Sequence, residues 1–586
     1  MNIPLKQYGY LLADYLKPQK GRVAWLTITL LSSIGLQLLN PQILGYFIDT
    51  ATSGGSQRTL ITAALLFIGV ALVTQALAVT ATYLGENVAW TATNALRFDL
   101  AAHCLKLDLS FHKSRTPGEL VERVDGDVNI LSRFFSQFTI YVLGNIILMF
   151  GILVILFYED WRAGFCLSLF ALTALTILIS LRSYAVSPWT TYRQISAEFF
   201  GFLGEQLAGT EDIRANGAAS HVMRRFYQIL QRWLPVFHQA RFASTVLWAT
   251  SVGLFAVGNA IALGVGAYLW SQNAITIGTV YLIFYYTNLL RQPIERIREE
   301  LEDLQQAEAS ILRVQGLLQI QSQLQPGGNQ SLPASALSVA WENISFSYDN
   351  EERATATAPE LVLQNISFYL PPGQVLGVLG RTGSGKTTIA RLLLRLYDPQ
   401  AGSIRLGGVN ANQTPLSNLR QRVGLVTQDV QLFQSTIRHN LTFFNSQISD
   451  EQLLQALEVL ELSAWLQSLP QGLDTFLGPD SGGLSAGQAQ LLAFARIFLK
   501  NPGLVILDEA SSRLDPTTEN LLEHALDRLL AGRTSIIIAH RLQAVQRADQ
   551  ILILESGKIL EYGLRQELES NSNSHFAQLL KTGLTN

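Results

Sequence analysis

The chain has 586 residues, of which 48% are hydrophobic and 15% are charged, and its formal net charge is -3. This length allows several domains, and the near-neutral balance gives no sign of the basic surface that binds nucleic acid. Charged residues are scarcer than in an average soluble protein, which indicates long apolar segments.

Long stretches without any charged side chain occupy almost half of the first 300 residues. They run over 23–48, 59–85, 138–158, 163–181 and 242–290. The first four approach or exceed the ~20 residues that a helix needs to cross a bilayer, and soluble core helices rarely stay uncharged for so long. The fifth would be more than twice the ~30 Å hydrocarbon thickness, so it must turn once, near Ser271–Asn273. We therefore predict an all-α transmembrane domain over residues 1–320, with six spans at about 23–48, 59–85, 138–158, 163–181, 244–270 and 274–296.

The Lys and Arg residues outside the spans indicate the orientation of the chain. They are concentrated before the first span, between the second and third spans, and between the fourth and fifth. The other three connections hold only Arg58 and Arg162. Because basic connections stay on the cytoplasmic side, both termini are predicted to lie in the cytoplasm. No cleavable signal peptide is apparent, so the first span should remain as an anchor of a multi-pass membrane protein.

The two long basic connections have the pattern of amphipathic helices that continue the spans into the cytoplasm. Their exposed tips are predicted near residues 114–118 and 216–218, where a cytoplasmic motor could push. Solvated loops without contacts are the alternative.

A second domain is predicted after a charged helix that runs to about Gln319. Residues 321–336, rich in Gln, Ser, Gly and Pro, form a predicted linker. From 337 to 586, short apolar strands alternate with helices, which is the α/β pattern. The predicted fold class is therefore a helical transmembrane domain followed by an α/β domain.

The α/β domain contains a glycine-rich phosphate loop between an apolar strand and a helix. Its sequence is Gly380-Arg381-Thr382-Gly383-Ser384-Gly385-Lys386-Thr387, with Thr388 next in the helix. Glycines let backbone N–H groups turn around a polyphosphate, and the helix N-terminus favours negative charge. Lys386 could reach the β- and γ-phosphates, and Thr387 could bind Mg²⁺. A chance glycine-rich turn is the alternative, but the strand, the Lys-Thr pair and the helix together argue for nucleotide binding.

A second element of this site is the apolar strand Leu504–Leu507, which ends in Asp508 and Glu509. Asp508 is positioned to hold the Mg²⁺ shell, through water, while Glu509 could orient or deprotonate an attacking water. The pair is weak evidence alone and strong evidence beside the phosphate loop.

The segment Leu484-Ser485-Ala486-Gly487-Gln488, followed by a helix and the Asp508-Glu509 strand, resembles the signature motif of ATP-binding cassette (ABC) proteins. Six spans ahead of one cassette resemble the half-transporters of the exporter class, similar to bacterial multidrug and lipid exporters. The resemblance covers nearly the whole chain. It implies ATP as the nucleotide, a translocase ATPase activity and a location in a bacterial plasma (inner) membrane, with the cassette in the cytoplasm.

Further roles follow from this resemblance alone. Tyr348 matches the aromatic residue that stacks on adenine. Gln428 matches the glutamine that reaches Mg²⁺ and the attacking water. Ser512 and Asp515 match the D-loop between two cassettes, and His540 matches the switch histidine that contacts the γ-phosphate. Lys386 and Glu509 complete the implied catalytic set, and Thr387, Gln428 and Asp508 the implied metal set.

The resemblance also implies a dimer. In this family Ser485, Ala486, Gly487 and Gln488 would face the ATP held by the partner's phosphate loop, so one chain cannot complete a site. Pairing with an identical chain is the first expectation, and pairing with a related half-transporter stays open. Ala486 replaces the more usual glycine, and the segment 477–483 lacks the family's common Gly-Glu-Arg run, which leaves its contribution to coupling open.

The predicted function is therefore ATP-dependent export, driven by ATP binding and hydrolysis at two composite sites. Charge-free spans favour a lipid or an amphipathic, hydrophobic cargo. Cavity-lining roles are predicted for Tyr281, Phe284, Tyr285, Asn288 and Asn145, with simple helix packing as an equal alternative. An ATP-gated channel or regulator is the alternative function. A soluble nucleic-acid ATPase conflicts with the apolar spans.

Overall fold

The computed structural model describes residues 13–137, 142–325, 327–348, 361–478, 484–508, 516–539 and 542–582. Its contacts divide the chain into two units. The first comprises Met1–Leu105 and Gly118–Ile320, and the second comprises Lys106–Pro117 and Gln321–Asn586. The short segment Lys106–Pro117 therefore makes most of its contacts with the second half of the chain, although it follows the second predicted span.

Helices of very different lengths make up the described part of the first unit and the short segment between its halves. In chain order they are α1 (Lys20–Thr52), α2 (Gln57–Lys106), α3 (Leu109–Ser114), α4 (Pro117–Val121), a π-helical turn (Glu122–Asp127), α5 (Val128–Gln137), α6 (Gly144–Glu159), α7 (Trp161–Ala208), α8 (Thr210–Ala215), α9 (Ala219–Ser271), α10 (Ile277–Leu289) and α11 (Arg291–Gln319).

Several of these helices match the predicted spans. Within the described residues, four helical segments are long and apolar enough to cross a membrane: Ala13–Thr52, Gln57–Lys106, Trp161–Leu181 and Ala219–Ser271. The apolar helix α6 is shorter and carries the described part of the third predicted span, of which residues 138–141 lie outside the description. The long helices continue well past the apolar spans, as the amphipathic pattern predicts.

Two helices carry the sixth predicted span. The helix α10 ends at Leu289 and α11 begins at Arg291. Pro293 explains the break, because proline has no N–H to donate to the carbonyl four residues earlier. The chain nevertheless keeps its direction through hydrogen bonds from Leu290 N to Tyr286 O (2.9 Å) and from Ile294 N to Leu290 O (3.3 Å).

The core of the first unit is a cluster of buried aliphatic and aromatic side chains from α1, α6, α7, α9 and α10. Tyr286 is fully buried there, and its hydroxyl donates to the carbonyl oxygen of Leu38 at 2.6 Å. In this core Asn145 is 8% exposed. This burial favours helix packing, the alternative to its predicted role in lining a cavity.

The second unit is built on two sheets. Its strands are β1 (Val339–Phe346), β2 (Leu363–Leu370), β3 (Val375–Gly380), β4 (Ala401–Leu406), β5 (Val409–Asn410), β6 (Val423–Val426), β7 (Leu504–Asp508), β8 (Thr534–Ile538), β9 (Gln550–Glu555) and β10 (Lys558–Leu564). The first sheet is antiparallel with the order β2-β1-β4-β5. The second has the order β10-β9-β3-β8-β7-β6, in which β9, β3, β8, β7 and β6 run parallel.

Helices complete the second unit. They are α12 (Lys386–Leu393), α13 (Leu416–Arg422), α14 (Ile437–Thr442), α15 (Asp450–Val459), α16 (Ser463–Ser468), α17 (Ala486–Lys500), α18 (Pro516–Leu530), α19 (Arg565–Ser570) and α20 (His575–Thr582). The strands β7 and β8 are buried along their whole length, as expected for parallel strands covered on both faces.

Candidate nucleotide-binding site

The phosphate loop has the geometry that its sequence predicts. The buried strand β3 ends at Gly380, and α12 begins at Lys386. Gly380, Gly383 and Gly385 have φ angles of 153°, 84° and 104°, which side chains rarely adopt. The loop therefore depends on glycine at these three positions to curl its backbone N–H groups around a ligand.

Two polar side chains inside the loop fit a phosphate ligand. The Lys386 ammonium donates to the carbonyl oxygens of Gly380 (2.8 Å) and Arg381 (3.0 Å), so it lies against the loop itself. The hydroxyl of the buried Ser384 has no hydrogen-bond partner within the described part of the chain. A buried hydroxyl without a partner is costly, and a phosphate oxygen would satisfy it.

The strand order brings other predicted residues to the same edge of the sheet. Parallel strands β3, β8, β7 and β6 are neighbours, so their carboxyl ends lie side by side. The phosphate loop follows β3, Asp508 ends β7, and Gln428 stands two residues after β6. Ligands of open α/β sheets bind at this edge. Of the remaining predicted groups, Glu509, Ser512, Asp515 and His540 lie outside the described residues.

The residues proposed to hold Mg²⁺ agree with the usual coordination of that ion. Thr387 is exposed in the first turn of α12, and Asp508 is 8% exposed at the end of its strand. Within the described residues, no group of three or more His, Cys, Asp or Glu side chains forms a protein-only metal site. Mg²⁺ usually binds through one or two protein oxygens together with water and substrate phosphates, so a sparse set is sufficient.

Tyr348, the predicted adenine-stacking residue, is tied directly to the phosphate-loop helix. Its hydroxyl lies 3.0 Å from Thr388 Oγ1 and 3.0 Å from the Arg391 guanidinium, which donates to it. The segment before it is fixed by Gln400, which exchanges two hydrogen bonds with the Ser347 backbone (2.8 and 2.7 Å). The sequence reasoning missed Arg391, although its place on α12, three residues after Thr388, could have revealed it.

A second missed residue, Lys113, comes from the segment between α2 and α4. Its ammonium lies 4.3 Å from the centroid of the Tyr348 ring. No sequence signal connects two positions so far apart in the chain, so only the tertiary structure could reveal this contact.

The signature residues form the start of α17. Ser485 is the N-cap: its hydroxyl oxygen accepts from Gln488 N (3.2 Å), and Gln488 Oε1 accepts from Ser485 N (3.0 Å). This reciprocal capping box explains why a serine and a glutamine stand three residues apart. Ser485 and Ala486 are exposed, whereas Gly487 is buried beneath them. Of the atypical segment 477–483, residues 479–483 lie outside the described residues.

An apolar helical unit and a phosphate-loop α/β unit on one chain define a membrane protein powered by a nucleotide. The profile of the ABC transporter transmembrane region matches residues 23–294, and the profile of the ABC transporter itself matches residues 363–512. The chain belongs to the ABC transporters.

Similar proteins match over almost the whole chain. An ATP-dependent lipid A-core flippase 1 from Colwellia psychrerythraea is 29% identical over 97% of this chain and 95% of its own length. An uncharacterised ABC transporter ATP-binding protein, YknV, from Bacillus subtilis is 29% identical over 95% of this chain and 91% of its own length. The fold matches a bacterial Atm1-family ABC exporter with ATP bound, with a TM-score of 0.81, 23% identity and coverage of 96% of this chain and 98% of that one.

The chain is accordingly an integral membrane protein of the ABC exporter type, which binds ATP and couples its hydrolysis to transport. The predicted family, fold class and enzyme class are confirmed.

Proposed function

We propose that this chain works as a homodimer that exports a lipid-like or amphipathic compound, using ATP at two sites shared between the chains. The observation that carries the proposal is the exposed N-terminus of α17. The side chain of Ser485 hydrogen-bonds only to Gln488 within the described residues. Because the serine oxygen acts there as an acceptor, its O–H can still donate to a phosphate oxygen of the ATP that a second chain holds. A helix N-terminus adds a favourable field for that anion.

Hydrolysis is assigned to the residues that follow the parallel strands. Lys386 would leave the loop carbonyls and bind the β- and γ-phosphates. Glu509 would accept a proton from the attacking water, and His540 would contact the γ-phosphate. Mg²⁺, held by Thr387, Gln428 and, through water, Asp508, would neutralise charge on the phosphate oxygens. The shared edge of the sheet supports this arrangement, because the neighbouring strands β3, β7 and β6 bring the phosphate loop, Asp508 and Gln428 to it.

The proposal for the cargo rests on one face of α10 and α11. Tyr281 and Tyr285 lie partly exposed with their rings 6.1 Å apart, and Asn288 is exposed one turn further on. Just beyond them is a cavity of about 320 Å³ lined by Asn288, Arg291, Gln292, Glu295 and Arg296. An aromatic surface followed by a charged one suits a molecule with an apolar body and a polar head.

The predicted orientation of the chain in the membrane gives a direction of transport. The basic residues of the long connections favour a cytoplasmic position for both termini and for the ATP-binding domain, so cargo would leave the cytoplasmic side of a bacterial plasma membrane. The lipid A-core named for the Colwellia relative is an amphipathic lipid, which agrees with this class of cargo.

The test is ATP hydrolysis by the purified chain in lipid nanodiscs, titrated with phospholipids and amphipathic drugs. We expect hydrolysis without any second protein and stimulation by one class of amphiphile. Glu509→Gln should bind ATP and lose most turnover, since it removes the proposed base. Full hydrolysis by Glu509→Gln would refute that assignment.

Transport itself needs a second measurement. Reporter-labelled amphiphile should cross the bilayer of proteoliposomes only when ATP is hydrolysed. Passage that depends on ATP binding but persists in Glu509→Gln would instead indicate the alternative, an ATP-gated channel.

A further inference from the structure

The ring of Tyr348 is already in contact with a cation. Lys113, in the short helix α3, lies with its ammonium 4.3 Å from the centre of that ring and 5.9 Å from the Tyr397 ring. A lysine at this distance over an aromatic face makes a cation–π contact. The face that it covers is therefore not open to a second flat ring.

Tyr348 itself is held firmly. Thr388 and Arg391 of α12 fix its hydroxyl, and the rings of Phe346 and Tyr397 meet it edge to face at 4.8 and 5.2 Å. Lys113, by contrast, is exposed at the end of a flexible stem. When a new group approaches the Tyr348 ring, the lysine is the partner that can move.

The charge around the ring favours that exchange. The Arg391 guanidinium is 5.8 Å from the same ring centre, so two cations face one tyrosine. Partial burial, and next the nearby Arg391, lower the pKa of Lys113. Among the described residues, no carboxylate lies within salt-bridge distance of the Lys113 ammonium. Nothing there offsets the effect of burial and of Arg391 on its charge.

The nearby carboxylates already interact with other groups. Asp108 accepts hydrogen bonds from Gln323 N (2.6 Å) and Ser322 Oγ (3.1 Å), and Asp398 is paired with Arg395 (2.7 Å). Lys113 is therefore held near the ring mainly by the ring itself.

There is room for a base next to this contact. A cavity of about 700 Å³ is lined by Lys113, Tyr348, Tyr397, Asp108, Asp398 and Gln400, among others. Both the lysine and the tyrosine line it, and it is much larger than a purine ring.

We propose that Lys113 occupies the adenine position on Tyr348 when the site holds no nucleotide, and that adenine displaces it. The displaced lysine would loosen α3 from the rest of the second unit. Lys113 is thus a positioning residue of the ATP site, supplied by the transmembrane half of the sequence. This inference rests on the adenine-stacking role of Tyr348 in the proposed function.

The direct test compares AMP-PNP with tripolyphosphate, which has no base, on the full chain in nanodiscs. Lys113→Met keeps the stem and removes the charge, so AMP-PNP should bind about 2- to 30-fold more tightly, the range expected for one lost cation–π competitor. Tripolyphosphate affinity should not change. Lys113→Arg should restore the wild-type value. Lys106→Met is the matched control, because Lys106 is exposed in the same segment and makes no cation–π contact among the described residues.

A second measurement follows the displaced segment. Amide hydrogen exchange of residues 106–117 should rise when AMP-PNP is added to the wild-type protein and stay constant with tripolyphosphate. In Lys113→Met the exchange should already be high before addition.

The two substitutions test the adenine-stacking role of Tyr348 and the displacement of Lys113 separately. Tyr348→Ala should weaken AMP-PNP and spare tripolyphosphate; if it affects neither, the adenine assignment of the proposed function fails. If Tyr348→Ala behaves as expected but Lys113→Met leaves AMP-PNP unchanged or weakens it, the displacement by adenine is wrong. Neither result depends on dimerisation or transport.

Discussion

At the level of single residues, two glycines of the phosphate loop differ in what an added side chain would meet. A Cβ added at Gly380 would stand 2.4 Å from the backbone oxygen of Leu554 in β9, whereas a Cβ at Gly383 would meet nothing within 4 Å. Both residues have a positive φ, so both would be strained by a side chain. Of these two, Gly380 alone would add a collision with the backbone of a strand.

We therefore expect Gly383→Ala to destabilise the protein by about 1–2 kcal/mol, the cost of a left-handed backbone, and Gly380→Ala to destabilise it by clearly more. Thermal unfolding of the two variants without nucleotide measures the difference. Equal midpoints would show that β9 yields to the new methyl group.

A buried ion pair in the first unit is a second feature at this scale. Asp127 is 1% exposed at the end of the π-helical turn. It accepts hydrogen bonds from Arg313 of α11, including one from Nε at 2.9 Å, and from Ser310 Oγ at 3.0 Å. The hydrogen bonds to Asp127 raise the pKa of Arg313, so the guanidinium stays charged.

Arg313→Met should leave this carboxylate buried without its main partner. Breaking such a pair costs about 3–5 kcal/mol, and we expect the lower end because the Arg313 side chain is 39% exposed and partly screened. The matched control is Arg232→Met, which breaks an exposed pair with Glu198 (2.7 Å) worth at most about 1 kcal/mol. Thermal midpoints in detergent compare them. A loss no larger than in the control would mean that the site reorganises around water.

At the level of elements, α3 is attached to the rest of the second unit through Asp108. This residue is the N-cap of α3 and accepts from Phe111 N at 3.2 Å, and its other oxygen accepts from Gln323 N at 2.6 Å. Partial burial pushes the pKa of Asp108 upward, but the hydrogen bonds from Gln323, Phe111 and neighbouring hydroxyls outweigh it, so the pKa lies below its usual value.

Because this pKa is lower in the folded protein than in the unfolded chain, the carboxylate stabilises the attachment fully above about pH 4. The stabilisation is lost as the pH falls through the lower folded value. Hydrogen exchange of residues 106–117 should thus increase in acid. Asp108→Asn should raise exchange at pH 7 and reduce the further rise in acid, after correction for intrinsic rates. Identical pH profiles of wild type and variant would remove Asp108 from the attachment.

At the scale of the whole molecule, the proposed dimer needs each chain to give its phosphate loop to one site and its signature helix to the other. One chain carries one of each, and Ser485 hydrogen-bonds within its own helix rather than to its own loop. If the sites are shared in this way, variants that lack different parts should complement each other in a mixed dimer. Chains that each form a complete site would show no such recovery.

Lys386→Ala disables the phosphate loop, and Ser485→Asp keeps a capping oxygen but opposes the phosphate with a negative charge. Each variant alone should be inactive. In a mixed dimer purified through two tags, the intact loop of one chain meets the intact signature of the other, so hydrolysis should recover in part. Inactive mixed dimers together with a double mutant no worse than either single one would argue for sites within one chain.

Much of this protein could be predicted from local patterns. The strand, loop and helix around Lys386 are specified by neighbouring residues, and the long apolar segments need only length and composition to indicate spans. The break between α10 and α11 at Leu290 also has a local cause, in Pro293. The roles of Glu509 and His540 remain predictions, because both residues lie outside the described part of the chain.

The sequence by itself determined the class of the protein, because phosphate chemistry requires particular residues at fixed, short spacings and a bilayer requires particular lengths. The tertiary structure alone decided which distant residues meet: that Asn145 is buried, that Arg391 holds Tyr348, and that Lys113 covers its ring. Such contacts depend on the packing of elements far apart in the chain, and no short-range pattern records them.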